Sequence, residues 1–290
     1  MRFKFLSGIL LSLWVIMIAS CDIINPAEPI PARIQVNTPE LQLLPGQGSE
    51  RHKITELWTF ADSNLIGVFG PPTEIPLITE EQTTQFVMRP GIRNNGILDD
   101  AIVYPLMTEY VVEVPTVPGM ISVINPVISY KPNAVFSLVS DFETQNDFID
   151  NRDTIAASML NRSSVEPFEG SFSGEIIMTA EARTIEVSHA ITLGDLPTDG
   201  TPAFLEFHYK TELQFEIGLL GIPLSGQPAS LFFYGVRPND NWNKIYIELT
   251  NQLVASDFSS YKILFRAFYP QSSTQPSYKI QLDNIKVVHL

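Results

Sequence analysis

The chain has 290 residues, with 32 Asp and Glu against 18 Lys and Arg, for a formal net charge of −14 at pH 7. So acidic a surface repels phosphate backbones, which argues against nucleic acid as a partner. Charged residues make up only 17%, while Pro numbers 22 and Phe 18, a composition of short strands and tight loops rather than long helices, so the fold class expected is all-β.

Arg2 and Lys4 precede an apolar run from Phe5 to Ile18. The run is too short to cross a bilayer at about 20 residues per span, and it is flanked as a secretory leader is. It closes on Ile18-Ala19-Ser20-Cys21, which resembles the lipobox of bacterial lipoproteins. The resemblance implies a signal peptide over 1–20, cleavage before Cys21, and a covalent lipid on that cysteine: diacylglycerol with a further acyl chain of the palmitate kind. Several chains anchor stably where one is marginal. The implied location is the bacterial cell envelope, at the outer membrane or cell surface. Losing the leader removes Arg2 and Lys4 and no acid, so the mature chain is more acidic still. Cys21 is the only cysteine, which excludes a disulfide within the chain; the body must hold by core burial alone.

After Cys21, the segment DIINPAEPIPAR carries three prolines in twelve residues, so 21–33 reads as the lipidated cysteine and an extended tether. From 34 to 131, short β-branched and aromatic runs (IQVN, ITELWTF, LIGVF, TTQFVM, EYVVEV, ISVI, VISY) are cut by turn residues. Asp62-Ser63-Asn64 supplies turn formers between Phe60 and Leu65, Gly91 after Pro90 permits a backbone bend, and Asn94-Asn95-Gly96 reads as a turn. The run from Leu57 to Ile92 resembles PEGA-type and related immunoglobulin-like surface modules. That implies an immunoglobulin-like β-sandwich over 34–131, used as a spacer or contact module, with no catalytic residues to carry over.

Lys131 to Val135, KPNAV, reads as a linker. Beyond it come about nine longer strand candidates: FSLVSDFE, SGEIIMTA, RTIEVSHA, AFLEFHYK, LQFEIGLL, SLFFYGV, NKIYIELT, YKILFRAFY and SYKIQLDNIKVV, spaced as in a sandwich or jelly roll. Asn151 to Asn161 reads as one modest helix or an irregular loop, with Asp153 as its cap. Three short patterns, Ser140–Glu143, Gly170–Gly174 and Leu282–Val287, make the region resemble the carbohydrate-binding-module and galactose-binding-like jelly rolls. That resemblance implies a jelly roll over 136–290 and a recognition function, though such folds serve binding, adhesion and structure alike.

Two candidate sites follow. In FSLVSDFE the alternation sets Phe136, Leu138 and Phe142 on one face and Asp141 and Glu143 on the other. In KIQLDNIKVV the apolar parity changes after Leu282, which a bulge at Asp283-Asn284 would reconcile. First and last strands are commonly neighbours in jelly rolls, and related modules hold a structural calcium there, so Asp141 or Glu143 with Asp283 is a candidate Ca²⁺ site. Read without the resemblance, the same groups are edge carboxylates that discourage edge pairing. In NWNKIYIELT, Ile245, Ile247 and Leu249 alternate into the core and turn Trp242, Lys244 and Tyr246 outward. Trp242 and Tyr246 would form a flat platform for sugar rings, with Lys244 between them and Arg237 supplying hydrogen bonds. The other reading is that Trp242 covers a loop.

No strong catalytic motif is present. His52, His189, His208 and His289 lack metal-ligand spacing, and neither a G-x-S-x-G elbow nor a P-loop occurs. Glu206, Glu212 and Glu216 lack the tight spacing of jelly-roll glucanases, although Glu206, His208 and Lys210 share one strand face. The function expected is therefore a non-catalytic, lipid-anchored exported binding protein that presents a jelly roll to a glycan or an envelope protein. The alternatives are a structural or assembly subunit of an envelope complex and, third, a glycoside hydrolase or polysaccharide lyase.

Overall fold

The computed structural model describes residues 28–153, 159–256 and 258–290. The leader, Cys21, the start of the tether and the middle of the expected 151–161 helix or loop lie outside these residues.

The N-terminal half is built of β1 (Ala32–Val36), β2 (Glu40–Leu41), β3 (Glu56–Ala61), β4 (Asn64–Phe69), β5 (Thr73–Leu77), β6 (Thr83–Arg93), β7 (Ala101–Val103), β8 (Tyr110–Pro115), β9 (Ile121–Ile124) and β10 (Val127–Ile128). Strand β1 alternates strictly, burying Ala32, Ile34 and Val36 and exposing Arg33 and Gln35. It pairs antiparallel with β5 and parallel with β9, while β2 pairs parallel with β10. A second sheet runs β4-β3-β6-β7, and β8 pairs with the earlier part of β6 on the same edge as β7, opposite β3. Ile34 and Ile75 from the first sheet meet Leu57, Phe86 and Met88 from the second in one apolar cluster. The β3–β4 turn falls on Asp62 and Ser63, both at positive φ, as their turn chemistry predicts. Gly91 makes no bend: it lies inside β6 opposite Glu56, where a Cβ would come within 2.6 Å of Glu56 Cγ. The glycine is there for close approach across the sheet, not for a change of direction.

The C-terminal half contains β11 (Val135–Ser140), β12 (Asp150–Asn151), β13 (Leu160–Ser163), β14 (Ser173–Thr179), β15 (Thr184–Ser188), β16 (Ala203–Thr211), β17 (Phe215–Ile222), β18 (Ala229–Val236), β19 (Asn239–Glu248), the short helix α1 (Thr250–Ala255), β20 (Ser260–Phe268) and β21 (Ser277–His289). One sheet runs β13-β14-β21-β16-β19 and the other β12-β15-β20-β17-β18. Taking β14 to β21 in order, the first sheet holds the first, eighth, third and sixth strands and the second holds the second, seventh, fourth and fifth. That interleaving of two antiparallel sheets is a jelly roll. The nine strand candidates correspond to β11 and β14–β21. Strand β11 pairs with β21, so first and last strands are neighbours. The parity change in β21 is met by a register shift, Glu206 facing Lys286 and His208 facing Asp283, with Asn284 at φ +50.

The assumed single face of β11 is corrected. Its register also shifts between Phe136 and Leu138, so Leu138 enters the jelly-roll core while Phe136 packs on the N-terminal cluster. The two halves share more than that residue: Phe204, Tyr246 and Val288, all on jelly-roll strands, belong to the N-terminal apolar cluster.

Candidate functional site

The expected sugar platform lies on β19. Its parity is as read, since Ile245 and Ile247 enter the jelly-roll core and Tyr246 points the other way. The exposure assumed for it is corrected, because the N-terminal half sits on that face. Tyr246 and Lys244 are buried, and the Tyr246 hydroxyl accepts a hydrogen bond from the Lys53 amide at 3.0 Å. Trp242 is half-buried; its Nε1 donates to the Glu166 carbonyl at 3.1 Å and its ring lies 5.7 Å from that of Phe168. Arg237 is exposed. Trp242 therefore covers a loop, and Trp242 and Tyr246 form no open surface for stacking.

What the covered face holds instead is a buried charge cluster. Glu206 is fully buried; its Oε1 accepts hydrogen bonds from the hydroxyls of Tyr104 and Tyr130, both at 2.7 Å. Its Oε2 takes no directional hydrogen bond but lies 2.9 Å from the Lys244 ammonium. Lys244 also donates to the Arg51 carbonyl at 3.1 Å, and Lys286 donates to the Ser49 carbonyl at 2.8 Å. Burial opposes the charge on Glu206, yet Lys244 and Lys286, aided by the two tyrosine hydroxyls, outweigh it and hold the carboxyl below its ordinary value. Burial is also the first cause that keeps Tyr104, Tyr130 and Tyr246 well above the usual phenol range. His208 stacks on Phe168 at 3.9 Å, and burial followed by the charges of Lys244, Lys286 and Arg51 lowers it to about 2. Of the three residues that share this strand face, Glu206 is thus a walled-in carboxylate and His208 a neutral imidazole, while the partly exposed Lys210 pairs with Glu166 at 2.9 Å.

Asp141 and Glu143 come together with Glu50, Glu169 and Asn284 around an open cavity of about 530 Å³. Asp283 does not join them at its surface. It is buried, and its carboxylate accepts from the amides of Asn284 (2.8 Å) and Glu169 (3.3 Å). Glu143 Oε1 is likewise taken by the amides of Ser171 (2.9 Å) and Phe172 (3.0 Å). Among the described residues no three acidic, imidazole or thiol side chains converge as a metal site.

The other sheet leaves its outer face uncovered by the N-terminal half. There Leu220 and Leu264 form a buried apolar floor outside the main core. Ser230 of β18 donates to Glu186 of β15 at 2.8 Å although two strands lie between theirs, so the sheet is strongly curved and this face is concave. Above the floor, the Arg266 guanidinium sits 3.5 Å from the Phe232 ring centroid and 5.2 Å from that of Phe268, and its Nε donates to Glu216 at 2.7 Å. Phe268 is half exposed. Each cation on this face has an acid beside it: Arg266 with Glu216, Lys262 with Asp150, and Arg152 with Glu186. An adjoining recess of about 250 Å³ is lined by Gln214, Glu216, Phe232, Phe233, Tyr234 and Gly235. Sequence reading missed this face because Arg266, Phe232 and Glu216 sit on separate strands, brought side by side only by the pairing of β20, β17 and β18.

No family model and no curated protein matches the chain. Among solved structures, the CBM22-1 xylan-binding domain from Paenibacillus barcinonensis Xyn10C is similar at 14% identity, over 54% of this chain and 95% of that one, with a TM-score of 0.39. The family 30 carbohydrate-binding module of the cellulosomal cellulase Cel9D-Cel44B of Clostridium thermocellum is similar at 14% identity, over 52% and 96%, with a TM-score of 0.41. The C-terminal family 22 carbohydrate-binding module of Clostridium thermocellum Xyn10B is similar at 13% identity, over 53% and 92%, with a TM-score of 0.38. At such TM-scores the jelly roll of this chain stands on its own strand order.

Proposed function

We propose that this chain is an exported, lipid-anchored, non-catalytic binding protein, and that its ligand is an uncharged glycan held on the concave outer face of β15-β20-β17-β18. One observation carries the reading. Of the two outer faces of the jelly roll, one is consumed by the N-terminal half; the other keeps a guanidinium fixed by Glu216 between two phenyl rings. Aromatic faces stack on sugar rings, and charge-fixed donors and acceptors hold hydroxyls with little entropy left to lose. The pairing of every cation there with an acid favours a neutral ligand over a uronate-bearing one. Anchoring through Cys21 at the envelope belongs to the same reading.

Affinity electrophoresis through gels containing neutral soluble polysaccharides, with wild type and Arg266→Ala, tests it. Retardation of the wild type that the variant loses supports the site. A wild type that no glycan retards, but that crosslinks to one envelope protein in cells, replaces glycan binding with the assembly reading.

A further inference from the structure

The end of the N-terminal half from which β1 starts carries exposed apolar side chains that no core explains. Ile30 is 66% exposed, Ile78 65%, Ile121 46%, Met120 45% and Val117 42%. They belong to one place. The Gly119 amide donates to the Pro31 carbonyl at 3.0 Å and the Arg33 amide to the Met120 carbonyl at 2.9 Å, which ties the 117–121 turn to the start of β1. Ala32 pairs with Leu77, which sets Ile78 alongside Pro31. Isolated exposed apolar residues need no explanation, but a contiguous group marks a contact surface.

We propose that this apolar end rests in the interfacial layer of a lipid bilayer, the one that the Cys21 anchor would enter, so that the protein is held at a fixed orientation to the membrane. The proposal rests on the lipid-anchored reading above. Three observations select a bilayer as the occupant. The patch surrounds the place where the described chain begins: Glu28 is seven positions after Cys21, and seven residues span at most about 25 Å. A lipidated Cys21 therefore keeps this end near the surface. The patch is also built for insertion rather than charge attraction. Its one basic residue, Arg33, is paired with Glu74, and exposed Glu28, Glu80 and Glu81 flank it. Finally, isoleucine, methionine and valine on a turn and strand ends can enter the headgroup–acyl boundary to the depth of about 5–10 Å that interfacial elements reach. The flanking acids set the lipid preference: zwitterionic headgroups over anionic ones.

The test uses the full lipidated protein, in which a modified Cys21 leaves Met120→Cys as the sole free thiol. An environment-sensitive fluorophore there, in zwitterionic vesicles containing brominated lipid, is expected to lose at least half its emission. The same label at Leu224→Cys, on the 95% exposed tip of the β17–β18 turn, is expected to lose none. Replacing a third of the lipid with an anionic one is expected to weaken the quenching at 120. Equal quenching at the two positions overturns the proposal. So does a label at 120 that bromolipid leaves unquenched but that self-quenches as protein density rises, which assigns the patch to a second copy. Flotation of the wild type and the mass of its N-terminal peptide report the anchor separately. A wild type that does not float overturns anchor and orientation together, whereas one that floats with an unquenched label at 120 overturns only the orientation.

Discussion

The hydroxyl of Tyr104, in the N-terminal half, donates a 2.7 Å hydrogen bond to the carboxylate of Glu206, in the middle of β16 and wholly removed from solvent. Tyr130 does the same, so the two halves meet through a buried carboxylate rather than a loose linker. Removing one donor leaves the other and Lys244 in place; Tyr104→Phe is expected to cost about 1–3 kcal/mol in urea unfolding. Glu206→Ala strands Lys244 without a counter-charge, leaves Lys286 only Glu169, and is expected to cost about 3–5 kcal/mol. Equal, small effects for both variants would show that the cluster is not what joins the halves.

Lys286 gives the protein an unusual alkaline limb. Burial lowers it from 10.5 to about 8; Lys244 acts the same way, and Glu206 and Glu169 oppose them. Between pH 8 and 10.5 the unfolded chain binds more protons than the folded one, so this group makes stability rise with pH across that window. Below it the cost of the buried charge is present in full. Measured by urea unfolding against Lys286→Met, wild type is expected to gain ground between pH 8 and pH 10. A difference that stays constant over that range refutes the assignment.

Asp283 works in the opposite sense. Burial raises it from 3.8 to about 7 against the amides of Glu169, Asn284 and Phe168, with Glu143 adding to the rise. Its contribution to stability is complete below pH 3.8 and is lost as pH rises through 7. Asp283→Asn is therefore expected to melt above wild type at pH 8 and level with it at pH 4. Were calcium bound there, one of the two readings that the sequence offers, adding it would raise the wild-type melting temperature at pH 8 and leave the variant unmoved.

The position of the ligand face can be separated from the position that the sequence suggested. Trp242 is pinned against the Glu166 carbonyl, so Trp242→Ala is expected to leave glycan affinity unchanged within about twofold. Arg266→Ala removes the group that both rings and Glu216 hold, and a loss of about tenfold or more is expected, the scale of a well-placed contact at about 1.4 kcal/mol. Titration of both variants with the same oligosaccharide decides between the two faces.

Strand parity was the most legible feature. β14–β21, the β3–β4 turn and the bulge at Asp283-Asn284 could all be read from alternation and turn chemistry, because these depend on neighbours along the chain; the register shift inside β11 could not. What alternation cannot tell is whether a polar face meets water or another part of the protein. Alternation puts Lys244 and Tyr246 on the correct side but reads that side as outward, and it groups Glu206 with His208 without showing that both are buried. One signal was available: in Ile285-Lys286-Val287-Val288 a lysine interrupts a run that is otherwise apolar on both faces, which is the texture of a strand buried on both sides. The concave face was illegible for the converse reason, since Arg266, Phe232 and Glu216 become neighbours only through strand pairing.

The turn Asn94-Asn95-Gly96 shows how a locally readable motif acquires a distant role. Asn95 and Gly96 adopt φ +54 and +66, the left-handed pair that these residues favour. The turn then docks on the free edge of β19: the Asn95 amide donates to the Tyr246 carbonyl at 2.9 Å, Asn95 Oδ1 accepts from the Glu248 amide at 2.9 Å, and Tyr234 donates its hydroxyl to the Asn95 carbonyl. Covering an edge in this way satisfies groups that would otherwise template pairing with another chain. Asn95→Ala deletes the acceptor for Glu248 while leaving the other two bonds possible, and is expected to cost about 1–3 kcal/mol. The decisive reading is local. By hydrogen exchange, the Glu248 amide is expected to exchange at least tenfold faster in the variant, with the amide of Leu205 on neighbouring β16 slowed or quickened only as far as global stability changes. If both amides shift together, the turn contributes stability without holding the edge of β19.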